Sequence, residues 1–279
     1  ASVAGDQVCE VIMGNVLSGG LGQAPARQAS LGAGIPDSVP CLTINKVCGS
    51  GMKAVMLAAQ AIALGDSDVV VAGGMESMTN APYVLPQARA GLRMGHGQIV
   101  DSMIHDGLWD PYNNVHMGNC GDQTAVEFGF SREDLDAFSA ESVRRAQAAV
   151  SGGVFRAEIA PVEIPQRKGD PLVISDDEQP GRCFPDKLAG LRPAFAKDGV
   201  TTAGNASSIN DGAAALVMAS ADWAAQNGKK PLAKIKAYAT FAQEPTKFTT
   251  APAFAVEALL AKAGLSVNDI DLFEVNEAF

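Results

Sequence analysis

The stretch from residue 41 to residue 74 constrains the fold more than any other. A short apolar run at 41–44 follows Pro40, and from Met52 onward Met52, Val55, Met56, Ala59, Ile62 and Ala63 recur at helical spacing. Gly65 is placed to end that helix. Residues 69–72 then form a continuous, mostly β-branched run closed by Gly73 and Gly74, the pattern of a strand buried on both faces. Strand, helix and strand in immediate succession predict an α/β fold.

Further along, the texture changes. Between 79 and 209 the chain is rich in Gly, Pro, Asn and His, interrupted by one helix capped at Ser131 and running through Leu135, Phe138, Val143 and Ala146. This reads as an inserted loop domain. Regular α/β texture returns with a strand at 212–218, a short helix at 221–227, and a helix at 252–263 that Pro252 starts and Gly264 stops. The alternating segment 271–276 can be laid over 9–14, each after an Asp-containing turn, which suggests two duplicated halves. In that reading the helix ending at Gly264 lacks a counterpart before Ala1, so the N-terminus looks cut away. The expected division is 1–78 with 210–230 as an N-terminal half, 79–209 as the loop domain, and 231–279 as the start of a C-terminal half.

Composition excludes some functions. With 47% hydrophobic and 19% charged residues the chain has the balance of a folded globular protein. A formal charge of -10 opposes nonspecific nucleic-acid binding, which needs a basic footprint. The apolar stretches are read as broken by Gly, Asp or Ser before they reach membrane-spanning length, so no membrane is expected. Five cysteines, Cys9, Cys41, Cys48, Cys120 and Cys183, show no CxxC spacing, so neither a disulfide framework nor a metal site is indicated and a reducing compartment fits best. The default location is cytoplasmic. His96 and His105 match no ligand spacing and are assigned structural roles.

One position between strand and helix has a chemical use. Cys48 lies in Asn45-Lys46-Val47-Cys48-Gly49-Ser50-Gly51-Met52, where amide N–H groups and the positive end of a helix dipole stabilise a thiolate. A thiolate there can attack a thioester carbonyl. The local residues fit equally a small buried cysteine at a packed turn. Gly118-Asn119-Cys120-Gly121 lacks the Lys-Ser or Lys-Thr ending of a phosphate loop and is discarded as one.

The ordered set of motifs goes further. Val47-Cys48-Gly49-Ser50-Gly51-Met52-Lys53-Ala54, Ala72-Gly73-Gly74-Met75-Glu76-Ser77-Met78, His116-Met117-Gly118, Thr202-Ala203-Gly204-Asn205-Ala206-Ser207, Asn210-Asp211-Gly212-Ala213-Ala214 and Asn276-Glu277-Ala278-Phe279 together resemble the thiolases, and among them the acetyl-CoA acetyltransferase branch. The resemblance implies a thiolase fold, a layered αβαβα arrangement of duplicated halves with an inserted loop domain, here with the second half incomplete. It implies that Cys48 accepts an acyl group and that a second acetyl-CoA attacks it, giving acetoacetyl-CoA and coenzyme A reversibly. Coenzyme A thioesters are then substrates, and no cofactor is implied.

Roles carry over residue by residue. Asn276 resembles the residue that positions a water for one oxyanion hole, and the Cys48 N–H serves the other. His116 is implied to face the thioester and pantetheine, Ser207 to hydrogen-bond the pantetheine arm, and Ala203 and Phe195 to line its tunnel. Leu108 and Met117 are implied to shape the acyl end. Arg182, with Lys187 and Arg192, lies in the stretch the family uses for the nucleotide, and Phe279 closes the substrate-binding set. The family forms homodimers or homotetramers, and a homo-oligomer is expected.

Thiolases also use a His in a Gly-His-Pro segment and a Cys in a Cys-x-Gly-Gly segment, and neither occurs in these 279 residues. The polypeptide by itself is therefore expected to be catalytically inert, a fragment of an active parent. Two rivals stand beside the acetyl-transferring reading: a longer-chain 3-ketoacyl-CoA thiolase, and a noncatalytic coenzyme A binding or oligomerisation module. A ketosynthase acting on carrier protein fits less well, because the Asn-Glu-Ala-Phe motif and the long loop domain belong to coenzyme A users.

Overall fold

Strand side chains that alternate between two apolar surfaces require cover on both, and the chain supplies it with one helix on each side. In the computed structural model, which describes residues 1–279, the order is β1 (Glu10–Gly14), α1 (Pro25–Gly32), β2 (Cys41–Ile44), α2 (Ser50–Leu64) and β3 (Val69–Ser77), with β4 (Asp211–Ala219) joining from far along the chain. The sheet runs β4-β3-β1-β2. β1 is parallel to both neighbours, pairing Val11 with Cys41 and Ile12 with Ala72, and β4 closes the edge antiparallel to β3.

Val11, Met13 and Val69 turn to one face and pack with Ala26 of α1. Ile12, Val70 and Ala72 turn to the other and pack with Ala54 and Ala58 of α2. Full burial of each such Val or Ile contributes about 1.5–3 kcal/mol, so the run 69–72 anchors both layers. The helix predicted from residue 52 begins two residues earlier, at Ser50, and ends at Gly65 with φ +80°. Residues 47–64 are in fact long and apolar enough to cross a membrane by length and composition, contrary to expectation. In this fold their helix lies on β1 and β3 instead.

Two compact units emerge, Ala1–Asn114 with Ile209–Ala242 and Ala251–Phe273, and Val115–Ser208 with Gln243–Thr250 and Glu274–Phe279. The sheet belongs to the first. In the second, α3 (Met117–Phe128) and α4 (Arg132–Ser151) are the long elements. α4 was predicted and starts at Ser131, whose hydroxyl accepts the Asp134 N–H while the Asp134 carboxylate accepts the Ser131 N–H, a reciprocal cap. α3 was not predicted, because Gly118 and Gly121 in its first turns read as loop. They are there for close packing: a Cβ at Gly118 would lie 2.2 Å from the Phe195 ring.

Two further expectations fail for a physical reason. Gly73 and Gly74 do not close β3, which continues to Ser77, because they admit β4 rather than end a strand. A Cβ at Gly73 would lie 2.0 Å from the Ala214 carbonyl oxygen. Segment 271–276, predicted to alternate as a strand like 9–14, is not one; β1 has β2 and β3 to satisfy its backbone, whereas 271–276 pairs with no strand.

Gly73→Ala should therefore lower the unfolding free energy by about 1–3 kcal/mol, as overpacking does. Urea midpoints check this, with Gly212→Ala on the facing strand as the control, since nothing lies within 4 Å of a Cβ there.

Candidate functional site

The first turn of α2 meets the sheet backbone to backbone. A Cβ at Gly14, the last residue of β1, would sit 2.5 Å from Ser50 Cβ and 2.8 Å from the Gly51 nitrogen. That contact sets where the preceding turn, Asn45 to Gly49, is held. Within it Ser50, itself buried, accepts the Lys46 N–H at Oγ (2.8 Å) and donates to the Val47 carbonyl (2.6 Å), while the Asn45 side chain accepts the Val47 N–H (2.9 Å). These bonds hold Val47 at φ +48°. A β-branched residue in the left-handed region costs about 1–2 kcal/mol, so the turn is strained beside Cys48.

Cys48 is exposed. The alternative of a small buried cysteine is thereby overturned, because the strained turn lifts the side chain off the packed layer. The Gly49 and Ser50 N–H groups are engaged within the turn, bonding to the Lys46 and Val47 carbonyls at 3.1 Å each. Neither is therefore a free amide of the kind expected to stabilise a thiolate.

Cys48 opens onto a cleft of about 470 Å³, whose walls include Asn15, Leu17, Glu76, Leu108 and Ala213. That size suits a small ligand. Glu76 ties the wall together: its carboxylate accepts the Val16 N–H (2.9 Å), the Leu17 N–H (3.0 Å) and the Asn15 amide (3.0 Å), and Asn15 also donates to the Met75 carbonyl (3.1 Å). The loop after β1 is in this way fastened to the end of β3. Glu76 is part of a motif that assigns it no role, because a lone carboxylate after two glycines carries no signal of the backbone it binds.

The second unit carries a different arrangement. His116 caps α3, its Nδ1 accepting the Gly118 N–H at 3.0 Å. Its ring stacks on Phe195 with centroids 4.6 Å apart, and Phe195 meets Phe279 edge to face at 6.1 Å. Phe279 in turn contacts Phe248 at 6.2 Å. Burial pushes the His116 pKa below its ordinary value, so the ring is neutral at physiological pH, and an accepting Nδ1 places the proton on Nε2. The Ser207 N–H donates to the Ala278 carbonyl (3.0 Å) and Ser142 to the Glu277 carboxylate (2.6 Å), so the Asn276 motif is fastened beside Ser207, with Asn276 exposed.

The predicted residues thus fall into two groups. Cys48 and Leu108 line one cleft in the first unit; His116, Met117, Phe195, Ser207, Asn276 and Phe279 belong to the second. Ala203 stands exposed on a turn of that second unit, and Arg182, also exposed, pairs with Glu178 at 2.7 Å. His96 and His105 are exposed and pack in no core.

Two measurements test this geometry. Ser50→Ala removes both turn bonds and should cost about 1 kcal/mol or more of stability by urea melt. The His116 ring should titrate by NMR with a midpoint below 6.5. Because the folded pKa is lowered, the stability it carries is full above the ordinary value and is lost as pH falls through the lowered one.

Comparison with known proteins agrees along the whole chain. Residues 1–222 match the family description "Thiolase, N-terminal domain" and residues 229–279 "Thiolase, C-terminal domain". The acetyl-CoA acetyltransferase of Pseudomonas aeruginosa is 54% identical over 274 residues, spanning 98% of this chain and 70% of the relative. Acetyl-CoA acetyltransferase 2 of Arabidopsis thaliana is 56% identical over 274 residues, spanning 98% and 68%. The crystal structure of Acat5 thiolase from Ascaris suum in complex with coenzyme A superposes with a TM-score of 0.94 at 45% identity, over all of this chain and 71% of that one.

Proposed function

The chain belongs to the thiolase family, and from that premise we propose that Cys48 is the nucleophile of a reversible condensation of two acetyl-CoA molecules. The observation that carries the reading is the exposed Cys48 on a strained turn, opening onto a cleft of about 470 Å³. In the forward direction the Cys48 thiolate attacks the carbonyl carbon of acetyl-CoA, the new C–S bond forms, and coenzyme A leaves as a thiolate that takes up the proton Cys48 gave up. The Cys of the Cys-x-Gly-Gly segment, which these 279 residues do not contain, would take a methyl proton from a second acetyl-CoA and later return it to the Cys48 sulfur, and the carbanion so formed attacks the acetyl-Cys48 carbonyl. The C–C bond forms, the bond to Cys48 breaks, its sulfur recovers a proton, and acetoacetyl-CoA is released. The developing oxyanions require fixed donors, for which the Cys48 N–H and a water held by Asn276 are proposed.

His116, neutral and stacked on Phe195, is suited to hydrogen-bond a thioester rather than to act as a cation. Ser207 and Ala203, both exposed, are proposed to take the pantetheine arm, Leu108 and Met117 the acyl end, and Arg182 the nucleotide. The names of the relatives favour short acyl groups over the longer-chain 3-ketoacyl reading. A homo-oligomer is part of the proposal; exposed Leu85, Leu92, Met94 and Ile99 between the paired segments Tyr83–Val84 and Val100–Asp101 support it, since apolar patches of this kind mark contact surfaces.

Brief exposure to acetyl-CoA of a form of the chain that also carries the Gly-His-Pro and Cys-x-Gly-Gly segments, followed by intact mass and peptide mapping, tests the reading, since these 279 residues hold neither segment. Acetyl should appear on Cys48 ahead of Cys9, Cys41 and Cys183, and Cys48→Ala should abolish it. Label spread evenly over the cysteines, or none at all, would leave a noncatalytic coenzyme A binding module.

A further inference from the structure

The segment from Thr201 to Ser207 has no regular helix or strand, yet its residues are sorted sharply by exposure. Thr201, Thr202 and Asn205 are buried, whereas Ala203 and Ser207 face solvent. Internal bonds shape the turn: the Thr202 hydroxyl accepts the Gly204 and Asn205 N–H groups at 3.2 and 3.3 Å, and the Ala206 N–H donates to the Thr202 carbonyl at 3.1 Å. Those bonds fix the turn's shape without fixing its place.

Asn205 connects it to the rest of the unit. Its Oδ1 accepts the Thr202 N–H (2.7 Å), and its Nδ2 donates both to Asp136 Oδ1 of α4 and to the Val200 carbonyl (3.0 Å each). Asp136 is held in turn by Arg132 (2.8 Å), whose guanidinium also donates to the Leu188 and Leu191 carbonyls. Every hydrogen of the amide is used, inside a region where an unmet donor is costly. Aspartate has nearly the same volume and accepts the Thr202 N–H equally well, so the fold of the turn alone does not require an amide. The two donated bonds do.

We infer that Asn205 is a positioning residue for coenzyme A binding: through Asp136 and Arg132 it fixes to α4 the turn that presents Ala203 and Ser207 to the pantetheine arm. This rests on the proposed role of those two residues. The charged groups around the amide are Asp136 and Arg132 on α4, and Asp122 on α3, which accepts the Val200 and Thr201 N–H groups at 2.9 and 2.8 Å. Asn205→Asp removes both donated bonds and sets two carboxylates face to face, whose repulsion is relieved when one of them is protonated.

The test is calorimetric titration of the chain with coenzyme A at pH 8 and pH 5, each variant being read as a ratio to the unsubstituted protein at the same pH. Asn205→Asp should bind about tenfold more weakly at pH 8 and recover most of the loss at pH 5, as expected for closely placed carboxylates. Combining it with Asp136→Asn, which lets an amide donate back across the same gap, should restore binding at pH 8. Equal affinity of Asn205→Asp and the unsubstituted chain at pH 8 overturns the inference, as does a loss that neither acid nor the second substitution repairs. If Asn205→Asp fails to fold by circular dichroism, the double variant decides alone: recovered fold and binding sustain the inference, and recovered fold without binding, or no fold, overturns it. An unsubstituted chain that binds no coenzyme A removes the functional reading itself, and this inference falls with it.

Discussion

Everything around Cys48 depends on how closely α2 approaches the sheet. Gly14, Gly51 and Gly74 bring the helix start against the carboxyl ends of β1 and β3 with no side chain between, since a Cβ on Gly74 would already lie 3.3 Å from Gly51 Cα. Larger residues there would raise the helix and carry the turn with it. Packing of Ala54 and Ala58 on Ile12, Val70 and Ala72 then fixes the direction in which the helix leaves. The position of the Cys48 turn is in this sense a by-product of how tightly a helix and a sheet can be fitted.

The two units hold their candidate residues by different physics. In the first, hydrogen bonds restrain backbone: Ser50 and Asn45 hold the turn, and Glu76 fastens the loop after β1. In the second, ring contacts among His116, Phe195, Phe279 and Phe248 do much of the work, with short polar links from Ser207 and Ser142 to the terminal motif. Ring stacking tolerates small displacements better than a bidentate carboxylate does, because dispersion varies gently with offset whereas hydrogen bonds weaken steeply with angle.

Some of this was legible in the sequence. The run 69–72 announces a doubly buried strand because parallel sheets need apolar residues on both faces, and the residues around Ser131 announce a helix start because their side chains complete its first turn. Both signals are local. Glycine was ambiguous: the same residue that breaks a strand or helix also admits a close neighbour, so Gly73 was read as an end and Gly118 as a loop. Which applies depends on β4 and on Phe195, partners remote in the chain. Cys48 was found through its neighbours in the motif, but its exposure was not, since that follows from the bonds of Ser50 and the backbone of Val47. Glu76 and Asn205 are not legible as anchors because a single polar side chain whose partner lies far along the chain, the backbone of residues 16 and 17 for Glu76 and the Asp136 carboxylate for Asn205, leaves no periodicity.

Val47 carries a consequence of its own. Free in a disordered chain, a valine settles in extended conformations, so its left-handed geometry exists only while Ser50, Asn45 and the tight seat of α2 impose it. The arrangement that presents the cysteine thus needs both its near neighbours Asn45 and Ser50 and the tertiary contact that seats α2 on the sheet. A thiol in this setting doubles as an internal gauge of foldedness, because its place on the turn depends on the packing of α2 against the sheet.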